Sequence, residues 1–224
     1  MSPQELTKTM FFRGLSADEI SEALSHLNAS VRTYQKDEVI LHTGDTTRYM
    51  CLVLSGSVTI ESYDVFGNRT ILSHVGRHLF FAETYAYLPH AVLLVDARAN
   101  EDSEILFLEV RRLAQPALPD SGWRARLTAN LLDISVHKNL LLSRRSLHTS
   151  SKTIRGRVLS YLRSTALQTH HRAFEIPFDR QQFADYLNVE RTALSKELGK
   201  MKADGILRFR KNRFELLDDS LSWE

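Results

Sequence analysis

The sequence predicts an α+β chain: an N-terminal helix and an antiparallel β sandwich or barrel, then one long helix, then a winged helix-turn-helix. Three observations carry this prediction. Short apolar runs recur at near-regular spacing through residues 31–110, separated by glycine-bearing turns. A stretch from about 121 to 148 has no glycine after Gly122 and spaces its apolar residues by four and three. Residues 178–217 hold two short helical patterns followed by an alternating apolar–basic hairpin.

The elements follow in order. Residues 4–28 read as a helix and its entry. Ser16 is placed to N-cap it with Glu19 at the capping-box position, and Phe11, Phe12 and Leu15 are placed to pack beneath. Strands are expected at 39–42, 49–54, 58–63, 70–74, 92–97 and 104–110. Gly67 is expected in the left-handed region of a hairpin turn at 64–68, and 79–88 as a short helix or pocket-lining loop. Pro116 and Pro119 close this part, and Asp120 or Ser121 caps the long helix. Leu127, Leu131, Ile134, Lys138 and Leu141 form a heptad-like seam. That seam suits a dimer interface and equally a helix packed on its own domain. A hinge at Thr149-Ser150-Ser151 leads to a further helix at 152–166.

In the helix-turn-helix, Asp179 and Gln182 can form a capping box, and Asn188 fits a left-handed turn. The second helix begins near Glu190 and ends at Asp204-Gly205. Its outward face carries Arg191, Thr192, Ser195, Lys196 and Lys200, side chains able to bond base edges or phosphates. Arg180, at the start of the first helix, is also expected to contact DNA. The hairpin turns at Lys211-Asn212 and brings Arg208, Arg210, Lys211 and Arg213 alongside. A helical hairpin with a merely solvated basic face is the bland alternative. Charge favours DNA. The chain carries a net +2, but residues 151–217 hold 14 basic against 7 acidic side chains.

One cysteine in 224 residues excludes a disulfide framework and a cysteine-only metal site within the chain. No window is long and apolar enough to span a membrane, and the first residues lack the pattern of a signal peptide, so the cytoplasm is expected.

This order of elements resembles the catabolite activator / fumarate–nitrate regulator family of bacterial transcription factors. The most specific residues are Gly44-Asp45, Gly56-Ser57-Val58, Asp179-Arg180-Gln181-Gln182 and Arg191 with Ser195-Lys196. The resemblance implies a β-roll of the cyclic-nucleotide-binding jelly-roll type over residues 1–118. It implies a dimerisation helix and hinge over 119–150 and a winged helix-turn-helix over 151–218, before an acidic tail at 219–224. It also implies a homodimer on pseudo-palindromic double-stranded DNA, RNA polymerase as partner if the protein activates, and a small-molecule effector in the roll. Phe81, Glu83, Tyr85 and Tyr87 border the implied effector pocket, with Asn130 and Asp133 able to close it. Their character points to an uncharged or aromatic ligand, or to a filled core.

The departures from the family are specific. Cyclic-nucleotide binders hold the phosphate with Arg-Ser ten residues after Gly-Glu-Leu. Here Ala82-Glu83-Thr84 is followed by Leu93-Leu94, and Arg98 is offset. Two leucines cannot neutralise a buried phosphate, so cyclic AMP is not the expected effector. An iron–sulfur cluster needs more than Cys51, and nothing singles out His74, His78 or Cys51 as a haem ligand, so no cofactor is assigned. Thr192 and Lys196 replace the family's Glu and Arg, so the half-site should differ from its best-known one. A rival reading is a metal-dependent cupin-like enzyme using His74, His78 and Glu83; its spacing is not the cupin one.

Overall fold

The computed structural model describes residues 2–67, 69–88, 90–116 and 121–217. The chain divides into two compact units, 1–137 and 138–224.

In the first unit, the expected entry helix is two pieces, α1 (Pro3–Leu6) and α2 (Ala17–His26). The break falls at Gly14, whose φ of +81° favours glycine. Ser16 caps α2 as predicted: its hydroxyl accepts from the Glu19 N–H, and Glu19 accepts from the Ser16 N–H at 2.8 Å. Eight strands follow: β1 (Ser30–Tyr34), β2 (Val39–Leu41), β3 (Met50–Ser55), β4 (Val58–Tyr63), β5 (Arg69–Val75), β6 (Phe80–Phe81), β7 (Asp96–Ala99) and β8 (Ser103–Leu108). They form two four-stranded sheets, ordered β1-β8-β3-β6 and β2-β7-β4-β5, with every pairing antiparallel. The helix α3 (Glu83–Tyr87) follows β6.

Strands β3 and β8 are apolar on both faces, and the two-residue period explains why. Cys51, Val53, Ile105 and Phe107 point into the core shared with the second sheet. Met50, Leu52, Leu106 and Leu108 point the other way, into a core with α2 and the first half of α4 (Gly122–Thr149). Phe11, Phe12 and Leu15 lie in that second core, as the sequence implied.

Two strands appear where none is expected, and one expected strand needs correction. β1 was unforeseen because its residues have no buried face: it is a polar edge strand paired only to β8. β6 has just two residues. The run at 92–97 is not a strand through its length. Leu93 instead exchanges backbone bonds with the loop before β3, donating to Asp45 O at 2.8 Å and accepting from Gly44 N at 2.9 Å. Gly67 does adopt a positive φ, +80°. Asn68, Pro119, Asp120 and the tail 219–224 lie outside the described residues.

Of the two readings of the seam, a dimer interface or a helix packed on its own domain, its first three positions follow the second. Leu127, Leu131 and Ile134 are 0%, 8% and 4% exposed, because they fill the first unit's own core beside Trp123. Lys138 and Leu141 continue that line in the second unit. The apolar residues that α4 leaves exposed are Leu132, Val136, Leu140, Leu142 and Leu147, together with Leu141 of the seam itself, which is 63% exposed.

The second unit contains the end of α4, then α5 (Ile154–Thr169), β9 (Ala173–Glu175), α6 (Arg180–Leu187), α7 (Arg191–Ala203), β10 (Leu207–Arg210) and β11 (Arg213–Leu216). The strands form a sheet ordered β10-β11-β9. One core joins Val158, Leu162, Phe183, Leu194, Leu198, Met201 and Phe214. The short strand β9 had no sequence signal beyond Phe174, its one buried residue.

His148, near the end of α4, is 3% exposed, with Nδ1 2.8 Å from the Tyr186 hydroxyl and its ring edge-on to Tyr161. Burial, then the nearby Arg144, lower its pKa. The neutral ring is therefore the folded form. As pH falls below about 6.5, the unfolded chain takes up the proton first and the second unit loses stability, until the folded value is passed. Urea midpoints measured from about pH 7 to pH 5 should fall more steeply for the wild type than for His148→Gln. Parallel curves would remove His148 from the acid sensitivity.

Candidate nucleic-acid interface

The helix-turn-helix is built as its sequence dictates. Asp179 Oδ1 accepts from Gln182 N at 2.8 Å, and Gln182 Oε1 accepts from Asp179 N at 2.9 Å, closing the capping box. Phe183, Ala184 and Leu187 bury one face of α6. Asn188 takes φ +54° and ends the helix. The Arg157 guanidinium donates to Leu187 O at 3.1 Å and Asn188 O at 2.8 Å, satisfying the carbonyls that the helix end leaves open. Helix α7 then begins at Arg191, and Leu194, Leu198 and Met201 hold it inward. Arg155 pairs with Glu197 and Asp204, each at 2.7 Å, and joins α5 to α7.

The opposite face of α7 is exposed at Arg191, Thr192, Ser195, Lys196 and Lys200, the residues expected there. Thr192 is already engaged, its hydroxyl donating to Glu190 at 2.9 Å. The hairpin β10–β11 turns at Lys211 and Asn212, with Lys211 at φ +56°. Asn212 Nδ2 donates to Glu175 at 2.7 Å, fastening the wing tip to the end of β9. Arg208, Arg210, Lys211 and Arg213 are exposed on the wing. Arg180, expected to contact DNA, is half-buried. Its guanidinium lies 5.1 Å from the Phe209 ring centre, 5.9 Å from that of Phe214, and donates to Lys211 O at 3.3 Å. It braces the wing against α6. Burial, with Arg191 nearby, lowers its pKa.

The residues expected around an effector do not form one site. Phe81 is buried in the core between the sheets, Glu83 is buried at the start of α3, and Tyr87 is exposed. Asn130 and Asp133 hold the N-terminal segment. Asn130 donates to Phe11 O at 2.7 Å and Arg13 O at 2.9 Å, and Asp133 pairs with Arg13 at 3.0 Å. Their side of α4 packs on that segment, which spacing alone could not show. Leu93 is buried and Leu94 is exposed, and neither alkyl side chain carries a charge for a phosphate. Arg98 is committed to Glu61 at 2.7 Å and to Asp37 O at 2.6 Å. Cys51 is fully buried, and burial pushes its thiol well up from its ordinary value. His74 lies 3.0 Å from the Thr59 hydroxyl, in a hydrogen-bonded pair on the sheet. Among the described residues, no three His, Cys, Asp or Glu side chains gather as a metal site. No helix among them is long and apolar enough to cross a membrane.

A buried capped turn, an exposed basic second helix and a basic wing define a winged helix-turn-helix DNA-binding protein. Comparison makes the assignment more particular. Residues 31–116 match the cyclic nucleotide-binding domain family, and residues 156–220 match the Crp-like helix-turn-helix domain family. The chain belongs to the CRP/FNR family of DNA-binding transcription regulators and is not an enzyme. It is 23% identical to the transcriptional activator protein FnrL of Cereibacter sphaeroides over 203 residues, spanning 84% of this chain and 76% of that one. It is 24% identical to the CRP-like protein Clp of Xanthomonas euvesicatoria over 201 residues, spanning 88% and 86%. The fold is similar to that of CprK complexed with OCPA, with a TM-score of 0.64 at 14% identity, covering 90% of this chain and 92% of that one. It is also similar to the c-di-GMP-responsive regulator CLP of Xanthomonas campestris, at 0.56 and 21%, covering 91% and 100%.

Proposed function

We propose that this regulator binds a two-fold symmetric DNA site as a homodimer, and that its roll senses a small molecule other than cyclic AMP. The exposed apolar stripe on α4 carries the dimer reading. Leu132, Val136 and Leu140 recur every four residues, with Leu147 two turns on, and are 63%, 55%, 47% and 62% exposed. Such a row on a helix whose other face is already buried is a surface suited to a second copy. Arg191, at the first turn of α7, reads a base, and Lys200, two turns on, meets phosphate. The absence of cationic side chains at Leu93 and Leu94, with Arg98 held by Glu61, supports the exclusion of cyclic AMP.

Arg191→Ala should cost about 1–3 kcal/mol on the specific site and relax preference at one base pair per half-site. Lys200→Ala should weaken all DNA alike and flatten the dependence on salt. Binding isotherms on matched and single-mismatch duplexes check both. Unchanged preference in the first variant would remove Arg191 as a base reader, and a sequence-dependent loss in the second would overturn the phosphate role. Saturating cyclic AMP should leave the affinity for DNA unchanged; a cyclic AMP-dependent gain would contradict the effector reading.

A further inference from the structure

The first unit has a second feature that neither the core nor the effector loop accounts for. A cavity of about 500 Å³ opens between β1, the loop before β3, α3 and the 3-10 turn after β8 (Val110–Ala114). Four arginines line it, Arg32, Arg48, Arg111 and Arg112, against one acid, Glu109. None of Phe81, Glu83, Tyr85 or Tyr87 lines it.

Two of the cations are oriented by their neighbours. Arg32 stacks over the Phe107 ring at 4.5 Å. Arg48 bonds the Tyr49 hydroxyl at 2.9 Å and pairs with Glu109 at 3.2 Å. Arg112 reaches Glu109 only at 3.9 Å, and its Nε is buried without a hydrogen-bond partner among the described residues. An unsatisfied buried donor on a charged group is costly, and an acceptor arriving in the cavity would relieve that cost. Glu109 is also bonded by Asn28 at 3.0 Å, so one carboxylate is shared among several donors. The lining is left with a surplus of three positive charges. Ile40, Leu41 and Ala86 give the same cavity an apolar floor, and Thr46 and Thr47 add hydroxyls.

We propose that this cavity binds a compact organic anion with two or more negative charges, as phosphate or carboxylate groups. Guanidinium forks match both groups bidentately. The apolar floor takes the carbon skeleton, and a ligand there touches Ala86 of α3. The site does not rest on the effector reading above, and it lies within the first unit, separate from the DNA-binding face.

Calorimetric titration of the DNA-free protein at low salt tests it, with inorganic pyrophosphate as the phosphate probe and citrate as the carboxylate probe. The comparison is between wild type, an Arg111→Gln/Arg112→Gln variant and a Lys196→Gln/Lys200→Gln variant. Saturable binding of at least one probe is expected in the wild type and in the α7 variant, and the probe that binds names the group recognised. Affinity should fall about tenfold or more in the Arg111/Arg112 variant, the weight of one or two charge-assisted bonds. Arg111→Gln alone, at an exposed position, keeps the test valid if the double variant does not fold, and should show a smaller loss. No saturable binding of either probe, equal binding by all variants, or loss confined to the α7 variant would overturn the site.

Discussion

Leu132→Glu/Leu140→Glu should leave a folded protomer that no longer dimerises, whereas Leu131→Glu should unfold the first unit. The two positions are adjacent in sequence and opposite in consequence. Leu131 is 8% exposed in the core formed with β3, β8 and α2, and a carboxylate placed there is stranded without a partner, costing several kcal/mol. Leu132, about 100° further around the helix, is 63% exposed and Leu140 47%, so glutamates there cost the protomer little. They would place like charges face to face between two copies. A protomer alone binds one half-site, and losing the linked second half-site should weaken binding to a full site roughly 100- to 10,000-fold. Sedimentation, thermal melting and DNA titration read the three effects. A Leu132→Glu/Leu140→Glu protein that stays dimeric would refute the α4 interface.

Glu61→Ala should destabilise the roll by about 3 kcal/mol with no direct effect on DNA contacts. Glu61 is wholly buried on β4, yet it is ionised. Burial pushes its pKa up, but Arg98, the Tyr63 hydroxyl and Arg69 together outweigh that and hold it below the usual carboxylate value. The contacts are short: 2.7 Å to Arg98, 3.1 Å to Tyr63 and 2.5 Å to Arg69. Arg98 is largely buried and also bonds Asp37 O, so removing the acid strands a cation against the sheet. Arg69 is half-exposed, and Arg69→Ala should cost only about 0–1 kcal/mol. Because the folded pKa is depressed, the contribution of Glu61 is complete above about pH 4.3 and declines as pH falls from there toward the folded value. Denaturant unfolding at neutral and acid pH checks both statements. A Glu61→Ala roll as stable as the wild type would show that the ion pair only offsets its own desolvation.

The sequence was most informative where local chemistry decides the backbone. Two capping boxes, the left-handed Asn188 and the Lys211 turn all stand where side-chain type and spacing put them, because each is a contest settled within a few residues. The elements it hid gain their stability from partners distant in sequence. β1 has no buried face and exists because β8 offers an edge; β9 exists because β11 does. Helix α4 shows the limit most clearly. Two apolar rows run along it, and both satisfy helical spacing. Which one faces the chain's own core depends on where α2 and the sheet lie, which no local pattern records. For the same reason Asn130 and Asp133 looked free to close an effector pocket, when the N-terminal segment already occupies them. The arginine cavity was invisible too, since its lining comes from separate segments spread over residues 32–115.

Selection of binding sequences from a random duplex pool, using purified protein without added ligand, tests the central claim most directly. The proposed homodimer predicts a two-fold symmetric motif with half-sites about one helical turn apart. Enrichment of an asymmetric single half-site would contradict a dimer that reads DNA through paired α7 helices; no enrichment with or without a small-molecule lysate fraction would contradict DNA reading itself.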